Sequence, residues 1–223
     1  MNPGLLITLE GIEGSGKSTQ ASLLRDALLN ARIPVSLTRE PGGSPLAERV
    51  RDLILHSSEE PMAPGAELLL FLAARAQHVA RTVRPALERG EVVVCDRFTD
   101  ATLAYQGGGR TIPEPILTTL NDWATGGIRP ARTYLLDVPV DLGLQRASTR
   151  SGERPDRLER ESREFFEAVR ARYLELARRE PERMMVLRGT DPTASLAHQI
   201  WEDVQRILGG LNHHGTEETV HES

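Results

Sequence analysis

The sequence predicts an α/β fold, in which helices cover both faces of a parallel β-sheet. Two patterns support this. Short apolar runs alternate with longer segments of helical apolar spacing, and a glycine-rich turn joins the first run to the first such segment. Strands are expected at 5–9, 33–38, 91–95, 133–138 and 184–187, and helices at 18–30, 45–56, 66–89, 113–124, 141–149, 162–179 and 193–208. A polar, glycine-rich loop is expected around 107–109.

The glycine-rich turn reads GIEGSGKST over 11–19 and matches G-x-x-x-x-G-K-[ST], the phosphate-binding P-loop. Its lysine is the only one in the chain, and every other cationic side chain among the 27 Lys+Arg residues is arginine. A compact ammonium fits a cradle of backbone N–H groups better than the wide guanidinium fork does. A chance glycine-rich turn is the alternative, but the flanking strand and helix are what the motif requires. The turn therefore predicts a nucleotide-binding site at Gly11, Ile12, Glu13, Gly14, Ser15, Gly16, Lys17, Ser18 and Thr19.

The composition predicts one globular domain over 1–208, followed by a polar tail at 209–223 that we expect to be disordered. A metal site at His213 and His214 in this tail is a less favoured alternative. The formal net charge of −5 does not favour nucleic acid as a partner. The single cysteine, Cys95, lies in an apolar run and indicates a buried thiol in a reducing cytoplasm. The sequence shows neither a signal peptide nor a membrane-length apolar run, so no membrane partner is expected.

Several classes of P-loop protein are excluded by the residues that the chain lacks. A GTPase reads guanine with N-K-x-D, and a partitioning ATPase carries a second lysine in its P-loop. Neither is possible when Lys17 is the only lysine. The L-S-G-G-Q signature of transporter ATPases is also missing from the sequence. A small phosphotransferase is the class that these exclusions favour.

Polar residues follow two predicted strands at the edge where the P-loop is expected. Asp96 ends the apolar run at 92–95, which is where a Mg²⁺-organising carboxylate belongs in this fold. Arg97 follows directly and could reach a phosphate, although a structural ion pair is the alternative for these two residues. Glu40 follows the second strand in the stretch REPGG.

Arginines recur every three or four residues from the helix expected at 141–149 to the one expected at 162–179. They are Arg146, Arg150, Arg154, Arg157, Arg160 and Arg163. Gly152 and Pro155 interrupt the helical pattern, so we expect a mobile lid over about 146–158. Such a run is usually a solvated helix face. Beside a P-loop, Arg150 and Arg154 are candidate catalytic residues, because phosphoryl transfer builds negative charge that arginines can stabilise.

The stretches GIEGSGKST, TREPGGS, ELLLFLAARAQH and CDRFTDATLAYQGGGR, followed by the arginine-rich segment, resemble the thymidylate kinase family in its bacterial form. The resemblance covers about 5–208, and the combination of DRF with AYQGGGR is its most specific part. It implies the P-loop kinase fold of nucleoside monophosphate kinases with a mobile arginine-rich lid. It also implies phosphoryl transfer from ATP·Mg²⁺ to dTMP and a homodimer.

The resemblance also implies roles for individual residues. Phe71 would stack on thymine, Arg75 and Thr102 would contact the base, Tyr105 would crowd a ribose 2′-OH, and Gln106 would hold the nucleoside. Arg51 and Arg97 would grip the acceptor phosphate, and Ser18 and Asp96 would organise Mg²⁺. The catalytic residues implied are Lys17, Glu40, Arg97, Arg150 and Arg154, and Glu40 would help to order metal and water. Without the resemblance, Phe71 would be interpreted as a core residue.

Two positions depart from the family pattern. Ala101 stands where serine is frequent near the base, and Ser44 replaces a frequent threonine after Pro-Gly-Gly. Two other functions stay open at this point. One is a kinase for a different small acceptor, such as another nucleoside monophosphate. The other is a nucleotide-regulated binding protein that uses ATP as a switch and would show no acceptor-dependent turnover.

Overall fold

The structure is a computed structural model that describes residues 4–56, 60–150 and 156–214. Its sheet has five strands: β1 (Leu5–Glu10), β2 (Val35–Arg39), β3 (Val92–Asp96), β4 (Arg132–Asp137) and β5 (Met184–Arg188). The strands are all parallel and lie in the order β2-β3-β1-β4-β5. The central strand β1 is buried along its whole length, as expected for a parallel sheet covered on both faces. The predicted α/β class is confirmed.

The helices of the described residues are α1 (Lys17–Asn30), α2 (Pro45–His56), α3 (Pro64–His78), α4 (Arg84–Glu88), α5 (Thr99–Thr102), α6 (Glu114–Thr125), α7 (Val140–Arg150), α8 (Arg163–Arg179) and α9 (Thr193–His214). A π-helical turn, Val79–Val83, joins α3 to α4, so the single helix predicted at 66–89 is divided. Pro85 near the start of α4 has no amide hydrogen to donate, which interrupts the regular ladder there. Because α9 continues to His214, the tail prediction is wrong for 209–214. The side chains of His213 and His214 lie outside the described part.

The glycine-rich loop expected at 107–109 is also wrong, because these residues complete a π-helical segment, Leu103–Gly109. A Cβ added at Gly108 would lie 2.9 Å from the carbonyl oxygen of Ala168, and one at Gly109 would lie 2.2 Å from the Phe165 ring. The glycines are therefore needed for the close approach of α8 rather than for a turn.

The parallel register brings the functional edge of the sheet together. Leu9 of β1 and Arg39 of β2 are both register partners of Asp96 in β3, so the carboxyl ends of three neighbouring strands meet at one level. Beyond β1 the chain turns through the P-loop into α1, whose amino end faces the same edge. This is the edge where ligands bind in open α/β sheets. Within the described ranges, no helix is both long and apolar enough to cross a membrane.

Candidate active site

A cavity of about 190 Å³ opens at this edge, between the P-loop, the ends of β2 and β3, the helix α3, the segment Leu103–Gly109 and the residues 156–159. Most of the residues predicted for the site line it: Glu13, Gly14, Gly16, Lys17, Ser18, Glu40, Arg51, Phe71, Arg75, Asp96, Arg97, Thr102, Tyr105 and Gln106. Of the other predicted P-loop residues, Gly11, Ile12 and Ser15 are buried beneath the loop and Thr19 is exposed on α1. The side chain of Arg150 and all of Arg154 lie outside the described residues.

The P-loop has the backbone that a phosphate cradle requires. Gly14 and Gly16 have φ values of 68° and 97°, in the left-handed region that glycine adopts without strain. A Cβ at Gly14 would also lie 2.0 Å from the carbonyl oxygen of Gly143 in α7. The loop therefore depends on glycine both for its conformation and for its close contact with α7.

Lys17 projects into the loop that precedes it. Its Nζ donates to the carbonyl oxygen of Ile12 at 2.8 Å and to the hydroxyl of Ser15 at 3.3 Å. The side chain is nearly buried, and burial together with the positive charge of Arg97 lowers the pKa of Lys17 to about 8. Because burial makes the charged form of Lys17 less favourable, the side chain is suited to a site where a bound anion offsets that free-energy cost.

The two predicted metal residues are in contact, because the hydroxyl of Ser18 donates to Oδ2 of Asp96 at 2.5 Å. Ser18 lies in the first turn of α1 and Asp96 at the end of β3. A hydroxyl and a carboxylate on one wall of the cavity are the oxygen donors that Mg²⁺ prefers. The residues present therefore fit a magnesium ion.

Arg97 is held in a strained turn by its neighbours. Its φ is 74°, which is uncommon for a residue with a side chain, and its backbone N–H donates to the carbonyl oxygen of Leu9 at 3.0 Å. Its guanidinium donates to Glu13 at 2.9 Å and lies 4.9 Å from the ring centroid of Tyr105. Tyr105 in turn donates its hydroxyl to Glu13 at 2.8 Å. The three side chains thus form one compact cluster at the mouth of the P-loop.

Arg75 is the centre of a second, fully buried network. Its Nε donates to Glu40 at 2.7 Å, its Nη1 to the hydroxyl of Thr102 at 2.7 Å, and its Nη2 to the carbonyl oxygen of Phe98 at 2.9 Å. Nη1 also donates to Oδ1 of Asn121 in α6, a residue that the sequence did not single out. The guanidinium is therefore fixed in orientation at the wall of the cavity.

Glu40 has both carboxylate oxygens engaged within the protein, one with Arg75 and the other with Nδ1 of His78 at 2.9 Å. Burial alone would raise the pKa of Glu40, but Arg75 and His78 lower it, so the carboxylate stays charged. The metal-ordering role implied for Glu40 stays a prediction. The contacts in the structure favour a residue that positions Arg75.

Replacing Glu40 with alanine separates these two roles. Because the change leaves the buried guanidinium of Arg75 without its anion, we expect the free energy of unfolding to fall by about 3–5 kcal/mol. Urea denaturation of Glu40→Ala measures this, and Glu40→Gln, which keeps a hydrogen-bond acceptor, is expected to lose less. Unchanged denaturation of Glu40→Ala, combined with a higher Mg²⁺ requirement for turnover, would instead support the metal role.

The remaining acceptor-side residues line the cavity from several elements. Phe71 packs partly buried against a cluster of Ile54, Leu55 and Leu158, so it is both a core residue and part of the cavity wall. Arg51 donates to the carbonyl oxygen of Pro41 at 2.9 Å and reaches the cavity from α2. The sequence also missed several lining residues, namely Arg39, Pro41, Leu55, Asp156, Leu158 and Glu159.

The arginines of the predicted lid do not share one surface. Arg146 donates to the carbonyl oxygen of Gly189 at 3.0 Å, beside β5. Arg157 donates to the carbonyl oxygen of Ile54 at 2.9 Å. Arg163 pairs at 2.7 Å with the exposed Asp141, as expected for a solvated helix face. The lid itself stays a prediction.

The chain is similar to known proteins along most of its length. The family model described as Thymidylate kinase matches residues 9–200. A thymidylate kinase of Pseudomonas putida (strain GB-1) is 52% identical over 208 residues, which cover 93% of this chain and 96% of that protein. One of Pseudomonas syringae pv. syringae (strain B728a) is 53% identical, covering 93% and 94%. The crystal structure of thymidylate kinase from Ehrlichia chaffeensis matches with a TM-score of 0.75 and 31% identity, over 91% of this chain and 99% of that one. The chain therefore belongs to the thymidylate kinase family.

Proposed function

We propose that the cavity at the carboxyl edge of the sheet is where the γ-phosphoryl group of ATP passes to dTMP, giving dTDP and ADP. The observation that carries this proposal is that the P-loop lysine and the acceptor-side arginines line one cavity. Donor and acceptor can therefore meet there, and a protein catalyses phosphoryl transfer mainly by positioning the two reactants and by stabilising the developing charge.

On the donor side, the P-loop backbone and the amino end of α1 bind the phosphates of ATP, and Lys17 supplies the positive charge. Ser18 and Asp96 are the residues that would hold Mg²⁺. When bound, the ion supplies neutralisation of the charge on the donor phosphates. Arg150 and Arg154, on the predicted lid at 146–158, stay candidates for stabilising the transferred group.

On the acceptor side, Arg51 and Arg97 bind the phosphate of dTMP. Arg75, fixed by its four partners, donates to the base, while Phe71 supplies an aromatic face. Glu13 keeps the partly buried Arg97 paired at the cavity. The attacking phosphate oxygen is already anionic, so no strong general base is needed, and the protein contributes position and charge.

The release of ADP with different acceptors tests the proposal. We expect ATP·Mg²⁺ turnover to be greatest with dTMP, weaker with dUMP, which lacks the methyl group, and negligible with UMP, whose 2′-OH meets Tyr105. Turnover with dCMP, dGMP or dAMP exceeding that with dTMP would contradict the acceptor pocket. Binding of ATP without any acceptor-dependent turnover would support the nucleotide-switch alternative instead.

We also propose that the chain forms a homodimer, as the family resemblance implies. The helix α3 packs against both α2 and α6, and these three helices carry exposed apolar side chains at Leu46, Leu53, Leu69, Ile116 and Trp123. Trp123 is 79% exposed, and a buried aromatic anchor is the usual centre of an interface. Sedimentation equilibrium is expected to show a dimer that Trp123→Glu with Leu69→Glu converts to a monomer. A monomeric native chain would contradict the proposal.

A cytoplasmic location is likewise a proposal. The structure buries Cys95 completely, and burial raises the pKa of its thiol well above the ordinary value. A thiol with a raised pKa is unreactive. A chain whose single cysteine is a buried free thiol is compatible with a reducing compartment. The net charge of −5 supports the prediction that nucleic acid is not a partner.

A further inference from the structure

Glu67 in α3 is a completely buried carboxylate that the reaction scheme above does not use. We propose that Glu67 is a positioning residue that fixes the orientation of the Gln106 amide and thereby makes the site select thymine over cytosine. This inference rests on the proposed role of Gln106 in holding the nucleoside.

The contacts of Glu67 come from three side chains in two separate parts of the chain. Gln106 donates its Nε2 to Oε1 at 2.9 Å, and Arg110 donates to both oxygens at 3.2 and 3.0 Å. Arg157 adds a contact to Oε2 at 2.7 Å. Two guanidinium groups on one buried carboxylate offset the cost of removing it from water.

The charge on Glu67 decides which way the Gln106 amide points. An ionised carboxylate only accepts hydrogen bonds, so the amide nitrogen of Gln106 must face Glu67. Burial alone would raise the pKa of Glu67, but hydrogen bonds from Arg110, Gln106 and Arg157 lower it. The carboxylate therefore stays ionised at neutral pH. Gln106 lines the cavity, and its amide oxygen is the atom left for a ligand.

A hydrogen-bond acceptor at Gln106 and a hydrogen-bond donor at Arg75 are complementary to thymine but not to cytosine. Thymine presents a carbonyl acceptor at C4 and an N–H donor at N3, whereas cytosine presents an amino donor at C4 and an unprotonated acceptor at N3. If the Gln106 amide were reversed, its NH₂ group would face the base and would suit the cytosine acceptor. By excluding the reversed orientation, Glu67 sets base specificity without touching the base.

The variant Glu67→Gln tests this, because its amide can either donate to or accept from Gln106 and so removes the constraint at almost constant volume. We expect the ratio of kcat/KM for dTMP to that for dCMP to fall about tenfold, the effect of one hydrogen bond, with the KM for ATP unchanged. Glu161→Gln is the matched control. Glu161 contacts Arg110 but not Gln106, so this variant is expected to keep the native ratio.

A second variant guards against loss of folding. In Glu67→Gln combined with Gln106→Glu, one buried carboxylate still lies near Arg110 and Arg157, and position 106 can again only accept. We expect this double variant to recover the native dTMP to dCMP ratio to within about threefold. A native ratio in Glu67→Gln, or a ratio lost in the double variant, would overturn the inference. The variant Gln106→Leu tests the role of Gln106 separately from that of Glu67. If Gln106→Leu also keeps the native dTMP to dCMP ratio, the role proposed for Gln106 in the pocket is wrong as well.

Discussion

The variant Lys17→Met is expected to lower kcat by about 10²–10³-fold, the effect of removing one preorganised charge from a transition state. Lys17 lies inside the P-loop, hydrogen-bonded to the carbonyl oxygen of Ile12, where a phosphate can replace that contact. Steady-state ADP release with saturating dTMP measures the loss. Methionine matches the aliphatic length of lysine, so the change removes the charge while keeping most of the packing.

The same variant, Lys17→Met, is expected to lose activity without losing thermal stability. The folded protein lowers the pKa of Lys17 from 10.5 to about 8, so at pH 7 the charged amine destabilises the folded state, by up to about 3 kcal/mol. This penalty diminishes as the pH rises above about 8. Without nucleotide, Lys17→Met is therefore expected to unfold at an equal or higher temperature than the native protein at pH 7. The difference should shrink toward pH 10.

Lys17→Arg serves as the charge-preserving control. If charge alone mattered, arginine would restore turnover. We expect it to remain at least about tenfold below the native kcat, because the planar guanidinium is wider than the ammonium that donates to Ile12 and Ser15. Near-native turnover of Lys17→Met would remove the lysine from the mechanism altogether.

The second large effect is expected at Arg97. Arg97→Ala should lower kcat/KM for dTMP by about 10²–10³-fold, since the residue is proposed to bind the acceptor phosphate and to stabilise the charge that develops on transfer. The KM for ATP should change much less. Parallel titrations of the two substrates measure the difference.

A substitution of Glu13, the ion-pair partner of Arg97, provides the control for Arg97→Ala. Removing Arg97 leaves Glu13, which is 12% exposed, without its counter-ion, so part of any loss could reflect the unpaired carboxylate. Arg97→Ala combined with Glu13→Gln removes this second effect and is expected to be no more active toward dTMP than Arg97→Ala alone. If the double variant regains most of the activity, Glu13 repulsion rather than a lost phosphate contact explains the defect.

The sequence predicted the parts of the fold that depend on local patterns. The strand at 92–96 is a run of valines ending in Cys95 and Asp96, and its neighbour β1 is equally apolar, so both strands and the P-loop between β1 and α1 could be placed. The glycines at 107–109 misled the prediction. Glycine indicates either a turn or a close contact, and the contact with Phe165 in α8 was not visible in the sequence.

The site was predictable where a motif names the residue and not where a partner comes from a distant segment. Lys17, Asp96 and Arg97 follow from motifs. Asn121, which fixes Arg75, and Glu67, which fixes Gln106, carry no local signal, because their contacts span 46 and 39 residues of sequence. Buried hydrogen bonds of this kind depend on how helices pack, which a pattern of apolar residues does not specify.

The central claim is that ATP and dTMP occupy adjoining parts of one cavity, with Lys17 on the donor side and Arg97 on the acceptor side. The most direct measurement is the Kd, by calorimetry, of a ligand in which adenosine and thymidine are joined 5′ to 5′ by a polyphosphate chain long enough to span both positions. Linking makes the second contact intramolecular. We therefore predict one ligand per chain and a Kd at least about a hundredfold below that of ADP or dTMP alone. We also predict that Lys17→Met and Arg97→Ala each raise this Kd. A Kd no lower than that of the tighter single nucleotide, or one unaffected by either substitution, would contradict the claim.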